Sequence, residues 1–506
     1  MFDHDIHQSK YNELRSIYKY YIDSYKALYQ LKTEKEEELN SIYKMIKSEL
    51  IDSKKFLPQD VINDNLNMIP FNNRYTKSYL SLAKLLSDEY HVKAVNNIPL
   101  ISNYLFYEEY GIKLVKSADF NKFKSKDIHI FTEDTIYRAI MYDDIKRFIP
   151  FTQSDEFYQC YQYQHFLIEF YPKYYIGYSL LVLCCYHGAV DCFKFLRTKF
   201  NSQITRECLQ FSFLGGNPEI ISECLKYEKP DKFCMEYAIA SHNIDFVTFL
   251  MNEYNLEIDL KCCGEYNNLE SFLVYFDQTN DINNCFIYSA IFDIPSLCEY
   301  LLSHGANVNE KDKDGKTALY YAAECNKKAT TQLLLLNGAN IHEKDYEGKT
   351  ILHRVAWNNR IESAEVLISY GANVNEKDRF GNLALHFAAS NNFEEMTELL
   401  ISHCANINEK EYHGKTALHE TASWNSKETA EVLISHGANV NEKNNDGCTA
   451  LHIATEHNYK QIIEFLISHS ANINEKDNYG CTTLHIATES EEEEIVELLI
   501  SYGAKQ

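Results

Sequence analysis

The second half of the chain repeats a pattern of apolar and polar positions that predicts short helices in pairs. One helix of each pair carries small residues, as at Ala322–Ala323 and Ala388–Ala389, so that another helix can approach it closely. The other helix has apolar positions at i, i+3 and i+4 spacing around Val366, Leu367 and Ile368. A single pair cannot bury its own apolar face, whereas stacked neighbours can. The pattern therefore predicts an α-solenoid.

The period of the pattern is 33 residues, and three kinds of residue mark it independently. Glycines recur at Gly315, Gly348, Gly381, Gly414, Gly447 and Gly480. A Gly-Ala-Asn register falls at Gly305, Gly338, Gly371 and Gly437, with Cys404 and Ser470 in the same position. A Leu-His pair places histidines at His353, His386, His419, His452 and His485. Three registers with one period identify a repeat architecture.

Each repeat is predicted to be a turn followed by two helices. The turn starts with an acidic residue or Asn and ends with a glycine that is free to take a positive φ. A threonine such as Thr350 then begins the first helix. An asparagine such as Asn359 ends that helix, because asparagine tolerates the left-handed conformation.

These units resemble ankyrin repeats, whose period, turn-helix-helix order and Thr-Pro-Leu-His block they match. Complete units start at Asp312, Asp345, Asp378, Glu411, Asn444 and Asp477, and a degenerate unit covers about 279–311. The proline of the block is absent throughout and is mostly replaced by alanine. The resemblance implies an ankyrin array over 279–506 that binds partners through its hairpin tips and the concave face of its first helices.

A looser helical repetition precedes the array, and we assign it to residues 165–278. An apolar residue followed by an acidic one and a later leucine recurs at 190–196, 218–225 and 244–250. Gly188, Gly216 and His242 precede these helices as turn residues. This stretch resembles an ankyrin-like domain of unknown function that precedes ankyrin arrays in large protist families.

Residues 1–164 form the third predicted part, an N-terminal helical region without a recognisable motif. Residues 11–51 are rich in Glu, Lys, Leu and Tyr, and we expect an amphipathic helix that packs on its neighbours. A coiled coil fits less well, since two of six core positions would be charged. The predicted fold class is thus all-α: a helical region, an ankyrin-like helical domain and an ankyrin solenoid.

The charge and the cysteines narrow the classes of partner and compartment. With 49 basic and 73 acidic residues the net charge is −24. Binding to nucleic acid or to an anionic membrane needs positive surface, so neither is expected. No apolar run is long enough for membrane insertion. The 15 cysteines lack Cys-x-x-Cys spacing and the N-terminus lacks a signal-peptide core, which favours a cytoplasmic protein.

Two features superficially suggest chemistry, and neither has the required arrangement. Gly-Lys-Thr recurs as at the end of a phosphate-binding loop, but Glu310, Glu343 and Glu409 hold the position of its earlier glycine. The repeat histidines would form a line, whereas metal ligands must converge, and the ankyrin resemblance implies that they are structural. We therefore predict no catalytic residue, no metal, no cofactor and no small-molecule substrate.

Partner recognition remains, and the ankyrin resemblance locates it on the tips and on variable positions of the first helices. Four of the six tips carry an aromatic ring, and both tryptophans of the chain fall at the helix positions. Tyr, Trp and Arg dominate binding hot spots. The candidate partner-binding residues are Trp357, Trp424, Tyr346, Arg379, Phe380, Tyr412, His413, Asn391, Glu456 and Tyr479. Acidic neighbours favour a basic or mixed-charge protein partner. The alternative is that both tryptophans pack between repeats.

Three functions are compatible with these features. The preferred one is a non-enzymatic protein-interaction scaffold or adaptor. The second is an enzyme, or a substrate-selecting adaptor, with an unrecognised activity in residues 1–164. A cleft there that contains a residue of strongly perturbed pKa would favour it. The third, by family analogy alone, is a structural tether between membrane proteins and the cytoskeleton.

Overall fold

A computed structural model divides the chain into two compact units, Met1–Asp281 and Ile282–Gln506. The structure describes residues 11–53, 56–95, 98–115, 120, 135–153, 171, 178–490 and 492–505. The regular structure of these residues is helical, apart from one isolated β-bridge between Lys344 and Thr350. The prediction of an all-α fold is confirmed.

In the N-terminal unit, the described residues form α-helices of 6 to 15 residues. A helical segment over 11–17 precedes the first of them. They are α1 Lys19–Tyr29, α2 Glu36–Ile46, α3 Pro58–Asn67, α4 Thr76–Tyr90, α5 Leu100–Tyr110, α6 Ile136–Met141, α7 Ile145–Phe151, α8 Leu180–His187, α9 Val190–Phe200, α10 Arg206–Gly215, α11 Pro218–Cys224, α12 Lys232–Ala240, α13 Ile244–Tyr254, α14 Leu260–Glu265 and α15 Leu269–Thr279. The predicted turn residues Gly188, Gly216 and His242 have φ values of 66°, 67° and 52°.

The single amphipathic helix expected over residues 11–51 is wrong. The chain leaves α1 after Tyr29 and begins α2 only at Glu36, and a π-helical turn, Lys47–Asp52, follows α2. Side chains from later in the chain bind the carbonyl groups of the connecting loop. Asn72 Nδ2 donates to the Leu31 carbonyl at 2.8 Å, and Ser78 Oγ donates to the Thr33 carbonyl at 2.7 Å. These tertiary bonds replace the intrahelical ones, so the local pattern alone could not reveal the break.

The first helices of this unit pack on those that follow residue 178. The buried Tyr21 hydroxyl donates to Asn267 Oδ1 at 2.7 Å. Arg74 Nη2 donates to the His187 carbonyl at 2.8 Å. The predicted boundary at residue 164 lies outside the described residues, and the division of the chain into three parts stays a prediction.

The C-terminal unit is a succession of helix pairs with short turns between them. Its helices are α16 Ile282–Ser289, α17 Pro295–Ser303, α18 Ala318–Glu324, α19 Lys328–Leu336, α20 Ile351–Trp357, α21 Ile361–Ser369, α22 Ala384–Ser390, α23 Glu394–Ser402, α24 Ala417–Trp424, α25 Lys427–Ser435, α26 Ala450–Glu456, α27 Lys460–Ser468, α28 Thr483–Glu489 and α29 Glu493–Ser501. We number the repeats 1 to 6 from their first residues, Asp312, Asp345, Asp378, Glu411, Asn444 and Asp477. The first helix of each repeat is its inner helix and the second its outer helix.

The inner helices end as the sequence predicts. Asn326, Asn359, Asn392, Asn425 and Asn458 follow inner helices with φ values between 54° and 58°. The small residues of the inner helices, such as Ala388 and Ala389, are fully buried. Close approach of neighbouring helices is therefore built into each repeat.

A ladder of asparagines joins the turns after successive outer helices. Asn408 Oδ1 accepts from the Asn439 N–H at 2.8 Å, and its Nδ2 donates to the Gly437 carbonyl at 3.4 Å. Equivalent pairs of bonds are made by Asn309, Asn375, Asn441 and Asn474. Repeat 1 has His342 in this position, and its side chain makes no such bond to a described residue. The ladder is therefore interrupted between repeats 1 and 2.

Asn408→Ala is expected to lower the free energy of unfolding by about 1 kcal/mol, because two exposed hydrogen bonds between repeats are lost. Urea unfolding of the full chain, followed by circular dichroism, measures the change. His342→Ala is the matched control, since it removes a side chain from the same position without removing a bond of the ladder. Equal effects of the two substitutions would contradict this role of the asparagines.

The helices of the described residues include none that is long and apolar enough to cross a membrane.

Candidate functional site

The first residue of each repeat shapes the hairpin tip that follows it. In repeat 3, Asp378 Oδ1 accepts from the Phe380 N–H at 2.9 Å and from the Asn382 N–H at 2.8 Å. The same two bonds are made by Asp312, Asp345, Glu411, Asn444 and Asp477. The backbone of the turn is thereby satisfied within the repeat, and the two tip residues are left to face outward.

Neighbouring tips are joined by backbone hydrogen bonds. The Arg379 N–H donates to the Glu347 carbonyl, and the Tyr412 N–H donates to the Phe380 carbonyl, both at 2.9 Å. Asn445 and Asn478 continue the row in the same way. The tips of repeats 2 to 6 therefore form one row, in which the backbone hydrogen bonds set the spacing between the side chains of neighbouring tips.

The repeat histidines hold the start of the inner helices and the next repeat together. His419 Nδ1 accepts from the Thr416 N–H at 3.1 Å, so Nε2 carries the proton and donates to the Cys448 carbonyl of the next repeat at 3.1 Å. His353 makes equivalent bonds. His452 Nδ1 likewise accepts from the Thr449 N–H, but its Nε2 lies 3.1 Å from the Glu475 carbonyl of its own repeat. These histidines are structural. Among the described residues, no group of three or more His, Cys, Asp and Glu is placed to hold a metal ion.

Five of the ten predicted binding residues meet in one open groove of about 540 Å³, here called the second groove. They come from three successive repeats: Trp357, Phe380, Asn391, His413 and Trp424. Both tryptophans are the last residues of their inner helices, α20 and α24. The groove therefore lies between the row of tips and the ends of the inner helices.

The tryptophans of the second groove combine packing with exposure. Trp357 packs edge-on against Phe387 of the next repeat, with ring centroids 5.6 Å apart, yet half of its surface is exposed. Trp424 is 65% exposed and Phe380 is 51% exposed. Packing between repeats, the alternative role of the tryptophans, thus covers about half of the Trp357 side chain and a smaller part of the Trp424 side chain.

Opposite charges meet beside Trp424. Burial raises the pKa of the Glu420 carboxyl, while Lys415 and hydrogen bonds from the side chains of Trp424 and Lys415 act in the opposite direction. Lys415 Nζ lies 3.8 Å from Glu420 Oε1. A cationic group of a partner near Glu420 would stabilise the carboxylate, because burial has removed part of its hydration.

Two further predicted residues, Tyr346 and Arg379, line a neighbouring groove of about 790 Å³, here called the first groove. It lies between repeats 1 and 2, with Arg379 contributed by the tip of repeat 3. Tyr412, Glu456 and Tyr479 are exposed and line neither groove. The structure thus brings seven of the ten residues into two adjacent grooves.

Sequence reasoning missed several residues that line the grooves. The residue before the helix-start position lines a groove in four repeats, as Lys316, Lys349, Asn382 and Lys415. The residue after the repeat histidine does so in three, as Arg354, Phe387 and Glu420. The 33-residue register contains the signal, since both positions vary in chemistry beside residues that hardly vary.

The N-terminal unit contains a smaller cleft of about 220 Å³, lined by Tyr29, Gln30, Arg74 and His187 among others. Burial lowers the pKa of His187 well below its usual range and raises that of Tyr29 well above it. Gln30 Nε2 donates to the His242 carbonyl at 2.9 Å, and Arg74 binds the His187 carbonyl. These side chains join helices to one another, so their perturbed pKa values follow from packing and do not favour an active site.

Comparison with known families identifies two regions of the chain. The family described as "Ankyrin repeats (3 copies)" matches residues 286–378, 352–444 and 436–506. The family described as "Domain of unknown function (DUF3447)" matches residues 200–275. No curated protein matches the sequence.

Proposed function

Because the chain is an ankyrin-repeat protein with an upstream domain of unknown function, we propose that it is a non-enzymatic scaffold or adaptor. Ankyrin repeats are a protein-protein interaction module, so its partners are proteins. The partner binds the hairpin tips and the concave face of the inner helices. We also propose a cytoplasmic location, since the cysteines of the described residues are free thiols and mostly buried.

The second groove is the observation that carries this proposal. Trp357, Phe380 and Trp424 expose large aromatic surfaces around one cavity, beside charged groups. A large apolar surface with a polar rim is typical of a binding hot spot, in which aromatic anchors supply most of the affinity. The mixture of Glu420 and Lys415 at its edge favours a partner of mixed charge over a purely basic one.

The double substitution Trp357→Ala/Trp424→Ala is expected to weaken partner binding at least tenfold, because both aromatic anchors are removed. Affinity purification with quantitative mass spectrometry identifies the partners, and titration of a purified partner measures the change.

Leu336→Ala/Tyr502→Ala is the matched control. Leu336 is 67% exposed and Tyr502 is 49% exposed, and these fractions match those of the two tryptophans. Both residues lie outside the two grooves. Trp357→Ala also removes the contact with Phe387, so circular dichroism must show that the double variant remains folded. Unchanged partners with an intact fold would refute the site.

A further inference from the structure

The first groove is positively charged in a chain whose net charge is −24. Six basic side chains and four acidic ones line it. The basic residues are Lys311, Lys316, Lys344, Lys349, Arg354 and Arg379. This local excess of cations on an otherwise acidic protein attracts negatively charged groups of a ligand.

Two of these cations are available to a ligand. The other four are already paired. Arg354 Nη2 binds Asp345 at 2.7 Å and Lys349 Nζ binds Glu347 at 2.8 Å. Lys311 Nζ lies 3.4 Å from Glu343 Oε1, and Lys344 binds Glu376. Lys316 and Arg379 have no carboxylate within salt-bridge distance in the part of the chain that the structure describes. Lys316 Nζ instead lies 4.5 Å from the centroid of the Tyr320 ring, which also lines the groove. The first groove thus offers two cations and an aromatic wall.

The two grooves adjoin at a single hairpin tip. Arg379 lines the first groove, and the next residue, Phe380, lines the second. Lys349 lines the first groove, and its Nζ lies 5.1 Å from the ring centroid of Phe387 in the wall of the second. A peptide that lies along the tips can therefore contact both grooves at once.

We propose that one extended segment of the partner carries acidic side chains into the first groove and an apolar or aromatic side chain into the second. The proposal rests on the proposed function and specifies the chemistry of its ligand. Arg379 and Lys316 bind the carboxylates through charge-assisted hydrogen bonds. Trp357, Phe380 and Trp424 enclose the apolar side chain.

The positions of the grooves set the spacing of this motif. The first groove lies between repeats 1 and 2, and the second is centred on repeat 3. Packed helices lie about 8–10 Å apart, so the centres of the grooves are separated by about 12–15 Å. An extended chain advances about 3.3 Å per residue, and about four residues therefore separate the acidic and apolar side chains.

A random peptide display library, panned against the full chain, tests the proposal while the partner is still unidentified. We expect enriched peptides that carry acidic residues about four positions from a large apolar residue. Synthetic copies should bind at least tenfold more weakly to Lys316→Glu/Arg379→Glu, and raised salt should weaken their binding to the unsubstituted chain. Lys476→Glu/Lys505→Glu makes the same charge change outside both grooves and should leave binding unaltered.

The outcomes separate the two proposals. Enriched peptides without an excess of acidic residues, or with affinity unaffected by Lys316→Glu/Arg379→Glu, would overturn the acidic motif and leave the interaction function standing. Peptides whose binding survives Trp357→Ala/Trp424→Ala would instead refute the binding site itself. A panning that enriches no peptide at all would count against both.

Discussion

Acidification from pH 7 to pH 5 is expected to cost the array about 2 kcal/mol of stability through His419 alone. Burial, together with the nearby Lys415 and Lys410, lowers the pKa of His419 to about 4, although the Cys448 carbonyl opposes this shift. In the unfolded chain the pKa is about 6.5. Between these values the unfolded chain binds a proton that the folded chain does not. The stabilisation that the neutral His419 contributes is therefore fully present above about pH 6.5 and declines as the pH falls toward 4.

The hydrogen bonds of His419 also indicate that its protonation destabilises the folded chain. Its Nδ1 accepts from the Thr416 N–H and lies 2.9 Å from Thr416 Oγ1, so a proton on Nδ1 would oppose the donated N–H. Burial also lowers the pKa of His353, His386 and His452, and their protonation adds to the loss. The carboxylates that pair between repeats do not contribute in this range. For Glu409 and Glu442, hydrogen bonds from Lys377 and Lys410 hold the pKa below its ordinary value.

His419→Gln separates this histidine from the others. The variant should lose less free energy of unfolding between pH 7 and pH 5 than the unsubstituted chain, by about 2 kcal/mol. Urea unfolding at the two pH values measures the difference. His436→Gln, at an exposed histidine of the same repeat, is the control and should keep the full pH dependence. An identical pH dependence for all three proteins would contradict the role of His419.

Gly414→Ala is expected to lower the free energy of unfolding by about 3 kcal/mol. Gly414 has a φ of +75°, and a Cβ built there would lie 2.7 Å from the backbone nitrogen of Asn445. That nitrogen donates to the His413 carbonyl at 2.9 Å, so the tip of repeat 5 cannot withdraw without losing the bond between the tips. The strain at positive φ and the overpacking against the backbone of the next tip therefore both lower the free energy of unfolding.

Gly437→Ala provides the control for the strain alone. Gly437 has a φ of +95°, but a Cβ there would meet no atom within 4 Å. Cys404 and Ser470 occupy the same repeat position with φ values of 65° and 70°, so this position accepts a side chain. We expect a loss of about 1 kcal/mol for Gly437→Ala. Equal decreases in melting temperature for the two variants would show that close approach between tips is not what requires Gly414.

Much of the array could be predicted because each requirement is local. A positive φ selects Asn at the end of an inner helix and Gly at the tip, and the start of an inner helix selects Thr. These preferences recur at 33 residues and expose the repeat directly. The N-terminal helices have no such register, and the break after Tyr29 depends on hydrogen bonds from Asn72 and Ser78. Those partners lie too far along the chain for a local pattern to identify.

The 33-residue register alone predicts the repeat, its turns and the aromatic residues that face outward from it. Which of these residues act together depends on how the repeats stack. Trp357, Phe380 and Trp424 belong to three different repeats, and stacking brings them to one groove. Tyr412 satisfied the same sequence criteria and lines neither groove. A turn or a helix end is specified by the backbone of one repeat and can be predicted from local residues, whereas a binding surface is made from the side chains of several repeats.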